Sequence, residues 1–158
     1  MKNLTVYYSW TGNTEVVAKE LHSLVGGDLR KIEEKKRRKG GAGFAGAALS
    51  ALLGLKSKLE PLDISAEDYD DIYIGTPVWA SHSAPAVNSF ISGCRLQGKK
   101  VHLFITLADD KFPQKVVDSL TQRIEKRGGS VVGSIAVRTK MNSVISVAYA
   151  RESISKWA

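Results

Sequence analysis

Ser9, Thr11 and Thr14 place three hydroxyls within six residues that also contain Gly12, directly after the strand-like run Leu4-Thr5-Val6-Tyr7-Tyr8. Hydroxyls at that spacing donate to an anion, the glycine lets the backbone approach it, and the free N–H groups of a helix opening at Asn13 point back at it. The turn therefore reads as a phosphate cradle. It holds no Lys or Arg, so it is not the loop in which Gly-x-x-x-x-Gly-Lys-Ser/Thr sets a lysine on terminal phosphates, and the Gly-x-Gly-x-x-Gly fingerprint is absent too. The plainer alternative is an ordinary strand-to-helix turn capped by Asn13 or Thr11.

A second candidate group lies in Thr76-Pro77-Val78-Trp79-Ala80-Ser81-His82-Ser83, after the apolar run Ile72-Tyr73-Ile74-Gly75. A tryptophan on an irregular loop has no obvious sheet face to pack on, and a planar ligand stacked on the indole would explain it. The alternative is that Trp79 packs under its own loop or at a partner interface. His82 is placed to tune a ligand or deliver a proton, or is simply a polar loop residue. Ser81 and Ser83 beside it make no hydrolytic triad, because no acid lies in the loop and no nucleophile elbow is present.

These residues have to be carried by strands that end together. A helix is predicted from Gly12 or Asn13 to Val25 and stopped by Gly26-Gly27, with strands at 28–33, 72–75, 100–106 and 131–137 following the first. Helices are predicted at 85–92, 112–127 and 143–157. Strands of continuous apolar character alternating with helices argue a parallel sheet covered on both faces, with ligands at the strand C-terminal ends. The turns that matter are then 9–14, 76–83 and 107–112.

Ser-Trp-Thr-Gly-Asn-Thr and Gly-Thr-Pro-Val-Trp-Ala, in that order and with this alternation of elements, resemble the flavodoxin superfamily. The resemblance implies one flavodoxin-like domain over residues 1–158: an α/β three-layer sandwich whose five-stranded parallel sheet has the order 2-1-3-4-5. It implies flavin mononucleotide (FMN) as cofactor, with Ser9, Thr11, Gly12, Asn13 and Thr14 on the phosphate and Thr76, Pro77, Val78, Trp79 and Ala80 lining the ring. Trp10, at the variable position of the first motif, points at the ribityl chain or out to solvent. Thr106, Leu107 and Ala108 complete the expected cofactor site. In that family a peptide flip beside the stacking aromatic takes place next to a glycine; Ala80 stands here, and alanine resists positive φ by roughly 1 kcal/mol.

The third turn departs from the family pattern. Asp109 and Asp110 would lower the potential of a nearby flavin if they point inward, or else are solvated acids capping the next helix. Phe112 is a candidate second cover for the ring.

The chain has a formal net charge of +7 over 158 residues, and much of it is concentrated at Arg30, Lys31, Lys35, Lys36, Arg37, Arg38 and Lys39. Residues 35–61 form a basic, Gly/Ala-rich insert whose uncharged part is too short for a bilayer-spanning helix; a membrane-surface role for residues 30–58 is the weaker reading. Aromatics do not interleave with the basic run, which argues against nucleic acid. One cysteine, Cys94, and three scattered histidines give neither a disulfide nor a metal motif. The N-terminus lacks the features of a signal peptide, so cytoplasm is the expected compartment.

No side chain is expected to be catalytic, since the flavin would carry the chemistry. The first functional expectation is an electron carrier with an acidic redox partner. The second is an NAD(P)H-dependent FMN reductase acting on quinones or similar small molecules, and the third a flavin-free binding module using the basic patch. Oligomeric state is left open.

Overall fold

Leu4, Val6, Ile72, Ile74, Leu103 and Ile105 are fully buried, and they occupy alternate positions on three adjacent parallel strands. Each such side chain contributes about 1.5–3 kcal/mol by leaving water, so their shared face fixes the register. The computed structural model describes residues 1–35, 43, 45–46, 49, 53 and 56–157. Among these, the strands are β1 (Asn3–Tyr7), β2 (Asp28–Lys31), β3 (Asp71–Trp79), β4 (His82–Ser83), β5 (Lys100–Leu107) and β6 (Ser130–Arg138). The helices are α1 (Asn13–Val25), α2 (Pro85–Gly93), α3 (Gln114–Glu125) and α4 (Val147–Ile154).

The sheet order is β2-β1-β3-β5-β6, all parallel, with the short β4 paired antiparallel to β3. Leaving β4 aside, this is the expected five-strand order 2-1-3-4-5. Val17, Ala18 and Leu21 of α1 and Ala150 and Ile154 of α4 pack on one sheet face around Phe104 and Val137. Val87, Phe90 and Ile91 of α2 and Val116, Leu120 and Ile124 of α3 cover the other. Gly75 permits this packing, because a Cβ there would run into the Phe104 ring.

Two elements differ from the sequence expectation. The third strand runs four residues beyond Gly75, so Trp79 lies at a strand end rather than on an irregular loop. Val78 pairs with Ser83 and Trp79 with His82, which leaves Ala80-Ser81 as a two-residue hairpin turn. Both have positive φ, 47° and 63°, as the type I′ turn requires at its central positions. The hairpin is tied down by Ala84 N–H donating to Thr76 Oγ1 (3.0 Å) and Ser83 Oγ donating to Asn88 Oδ1 (2.8 Å). The last helix begins at Val147 rather than 143, with Ser146 as its N-cap accepting from Tyr149 N–H.

The expected insert, 35–61, falls largely outside the described residues. Its base is described: Lys35 N–H donates to Lys58 O and Glu60 N–H to Glu33 O, both at 2.9 Å, around an antiparallel bridge between Glu34 and Leu59. The segment thus leaves and rejoins the fold just past β2, at the C-terminal edge of the sheet. Among the described residues no helix is long and apolar enough to cross a membrane.

Candidate functional site

The turns after β1, β3 and β5 meet at the C-terminal edge, where the connections from β1 and β3 diverge to opposite faces and leave a crevice. Gly12 is the N-cap of α1 at φ 103°, a left-handed conformation that favours glycine, and no side chain caps the helix. The first intrahelical bond is Val16 N–H to Gly12 O, so the amides of Asn13, Thr14 and Glu15 have no partner within the helix. Ser9 Oγ accepts from Gly12 N–H at 3.2 Å and Thr11 Oγ1 accepts from Asn13 Nδ2 at 3.4 Å. Each hydroxyl therefore keeps its own proton to donate. The donor set of Ser9, Thr11 and the first turn of α1 fits a phosphate monoester.

Two expected phosphate ligands point elsewhere. Thr14 is buried, and its Oγ1 lies 2.7 Å from Thr106 Oγ1, so one hydroxyl donates to the other and the bond joins α1 to the end of β5. The Asn13 side chain is also buried: Nδ2 donates to Lys140 O (3.3 Å) and Ser143 O (3.2 Å), while Oδ1 accepts from Ile145 N–H (2.8 Å). Only the backbone amides of Asn13 and Thr14 remain turned to the cradle. Val144, from the same segment, would be 3.4 Å from a Cβ at Gly12.

An aromatic trio stands beside the cradle. Trp79 is only 6% exposed, with Tyr8 edge-on at 5.5 Å and Trp10 edge-on at 5.2 Å. Trp10 thus folds onto Trp79 instead of pointing to solvent. A cavity of about 310 Å³ borders the trio, lined by Tyr8, Ser9, Trp10, Ile32 and Glu34 among others. Tyr8 donates to Glu34 Oε2 at 2.9 Å at its wall.

A flavodoxin family model matches residues 56–146, more than half of the chain. The chain belongs to the flavodoxin family. Among solved structures of like fold, a flavoprotein in complex with FMN from Lactobacillus acidophilus has 24% identity and a TM-score of 0.71, covering 85% of this chain and 92% of that one. The flavodoxin of Megasphaera elsdenii, in its two-electron reduced form, has 23% identity and a TM-score of 0.56, with 98% of each chain covered. A WrbA-like flavodoxin from Agrobacterium tumefaciens has 18% identity and a TM-score of 0.61, covering 95% and 90%. No curated protein matches the sequence.

The remaining expected site residues divide by burial. Thr76 is buried, and its hydroxyl donates to Pro77 O (2.9 Å) while accepting from Ala84 N–H. Thr106 and Leu107 are buried too, whereas Pro77 and Val78 are half-buried and Ala80 and Ala108 are exposed at the edge. The acids of the third turn do not face inward. Asp109 Oδ1 accepts from Lys111 N–H (3.1 Å), and Asp110 pairs with Arg138 on the surface. Nor do they cap α3, whose N-cap is Pro113 with no side-chain bond. Phe112 is 48% exposed. His82 Nδ1 lies 2.6 Å from Ala80 O, so the ring donates to the carbonyl of the strained turn.

Sequence reasoning missed two contributors, Tyr8 and the 140–145 segment. Tyr8 was visible only as the last aromatic of an apolar strand. The segment reads as a polar turn, and nothing local in it marks Asn13 as its partner more than a hundred positions earlier.

Proposed function

We propose that this flavodoxin-family chain holds FMN across the edge formed by the 9–14, 76–81 and 106–112 turns and serves as an electron carrier. The observation that carries this reading is the open first turn of α1 at Gly12, flanked by two hydroxyls with protons to donate and by the Tyr8–Trp10–Trp79 trio. A monophosphate needs donors and a helix N-terminus rather than lysine and magnesium, and the aromatic trio offers an apolar wall for the attached ring. The like-folded Lactobacillus acidophilus flavoprotein is itself in complex with FMN.

When bound, the flavin supplies the redox chemistry. The chain's residues orient it and limit water at the ring. Ser9, Thr11 and the α1 amides hold the phosphate; Trp10 and Trp79 cover the ring; the Ala80–Ser81 turn presents backbone polar groups at its edge. The carrier reading is favoured over a reductase because, among the described residues, the carboxylates of the third turn, Asp109 and Asp110, turn outward from this edge.

The basic patch that pointed to an acidic redox partner is partly neutralised within the fold. Within the expected basic patch, Arg30 pairs with Asp63 (2.8 Å) and Lys31 with Glu15 (3.0 Å), so these two cations are largely neutralised. Residues 36–39 lie outside the described residues.

The test is the visible spectrum of the purified protein and its titration with FMN. Yellow flavin bands, or saturable uptake of one FMN per chain, are expected; a colourless protein that takes up none overturns the reading. Mixed with NADH or NADPH and a quinone, the loaded protein should turn over only when a partner reductase is added. Turnover without one would make it a reductase.

A further inference from the structure

A second concave site lies away from the cradle, on the helical face formed by α2 and α3. A cavity of about 440 Å³ is lined by Lys56, Ser92, Ser119, Gln122, Arg123, Lys126 and Arg127. Among the described residues, every titratable group in that lining is cationic. Four positive charges converge there from two separate parts of the chain, the base of the insert and the end of α3, and none of the four makes an ion pair among the described residues.

A purely structural account covers only part of this arrangement. Arg123, Lys126 and Arg127 at the C-terminal end of α3 are favoured by the helix dipole. Lys56 belongs to the base of the insert, and the dipole gives no reason for it to share a cavity with them. Like charges gathered without a counter-ion repel one another, at a cost that a bound anion offsets. Arg127 is also held in place, its Nε donating to Cys94 O at 2.7 Å, which leaves its other guanidinium nitrogens to donate elsewhere.

We propose that this cavity binds a small molecule bearing two adjacent phosphates, as in a diphosphate. Two guanidinium forks and two ammonium groups match closely spaced phosphate oxygens, and the Ser92 and Ser119 hydroxyls with the Gln122 carboxamide add neutral donors. The volume suits a small ligand rather than a macromolecular face. Among the described residues no aromatic lines it, so these offer no stacking platform for a nucleic-acid base. The site does not depend on the flavin reading, because none of its residues touches the phosphate cradle.

Inorganic pyrophosphate and ADP are titrated against the full chain saturated with FMN, at constant ionic strength, with amide shifts recorded by NMR; adenosine serves as the control without phosphate. Pyrophosphate should move the amides of Ser92, Ser119 and Gln122, and an Arg123→Gln/Lys126→Gln double variant should weaken it by roughly tenfold or more. Lys19→Gln, on α1, should leave it unchanged. Equal affinity for pyrophosphate and ADP points to the inorganic ion or any diphosphate, and tighter binding of ADP to a nucleotide; either supports the site. Shifts confined to Gly12–Glu15 mean that the anion enters the cradle, and no response to either probe means no site; both overturn the proposal. So does binding of adenosine alone, or of an acidic peptide in place of pyrophosphate, which would make the surface a protein-docking patch. If the chain takes up no FMN, the same titration on the unloaded protein still separates the two locations by residue.

Discussion

The hydroxyls of Thr14 and Thr106 lie 2.7 Å apart, both residues buried, one in the first turn of α1 and the other near the end of β5. One bond thus joins two of the three turns that make the candidate site. Thr14→Val leaves the Thr106 hydroxyl buried without its partner and should destabilise by about 1–3 kcal/mol. Adding Thr106→Val should recover part of that loss, since an apolar pair replaces a half-satisfied polar one. Urea unfolding of both single variants and the double variant measures the coupling. FMN affinity should change little in Thr14→Val, because the hydroxyl is turned away from the cradle.

Asn13 ties the cradle to the 140–145 segment through three long-range hydrogen bonds. Asn13→Ala removes both donor and acceptor from part-buried bonds to a largely exposed segment, so a loss of about 1–3 kcal/mol is expected. The local consequence is sharper. Limited proteolysis should cut near Lys140–Val144 in the variant under conditions where the parent protein resists, with FMN affinity falling as the cradle loses its brace.

At Ala80 the sequence expectation and the fold disagree in an informative way. Alanine resists positive φ, yet Ala80 sits at 47° and Ser81 at 63°, because the hairpin between Trp79 and His82 requires it. The His82 bond to Ala80 O helps hold the turn. Ala80→Gly should raise stability by about 0.5–1 kcal/mol, read as a higher urea midpoint, since strain relief exceeds the added chain entropy. His82→Ala should lower it.

The legible parts of this chain are those written in local chemistry. Gly26-Gly27 ends α1 where expected, and the apolar runs around Ile74 and Leu103 mark central strands. The extension of β3 was hidden because Thr76-Pro77 reads as a strand end. Pro77 nevertheless closes the parallel ladder opposite Thr106, and the antiparallel pairing continues past it. Hydroxyls in the first turn are the sequence basis for expecting a cradle, but their allocation is not written there. Thr14 is spent on Thr106 and Ser9 is not, a distinction made by a strand ninety residues away.

Trp10 decides access to Trp79. Trp10→Ala removes an edge-to-face contact worth about 0.5–1.5 kcal/mol and uncovers the buried indole. A red shift in tryptophan emission and easier acrylamide quenching are expected without FMN. If the ligand stacks on Trp10, FMN affinity falls in the variant; if it stacks on Trp79, affinity holds or rises, because Trp10 no longer has to move.

Tyr69 gives the fold an alkaline limit. Burial first, and then donation of its hydroxyl to Asp28 Oδ2 at 2.8 Å, push its pKa from the ordinary 10 up to about 12. A group held protonated in the folded state contributes its full stability below the unfolded pKa and loses it as pH rises through the folded one. The window in which that stability is lost is therefore about pH 10 to 12. Tyr7, raised to about 12 chiefly by burial, adds to the same limb. Tyr69→Phe should cost about 1 kcal/mol at pH 7, where Asp28 loses a donor, but should flatten the fall in urea midpoint between pH 9.5 and 11.5 relative to the parent protein. An equally steep alkaline loss in the variant would move the effect away from Tyr69.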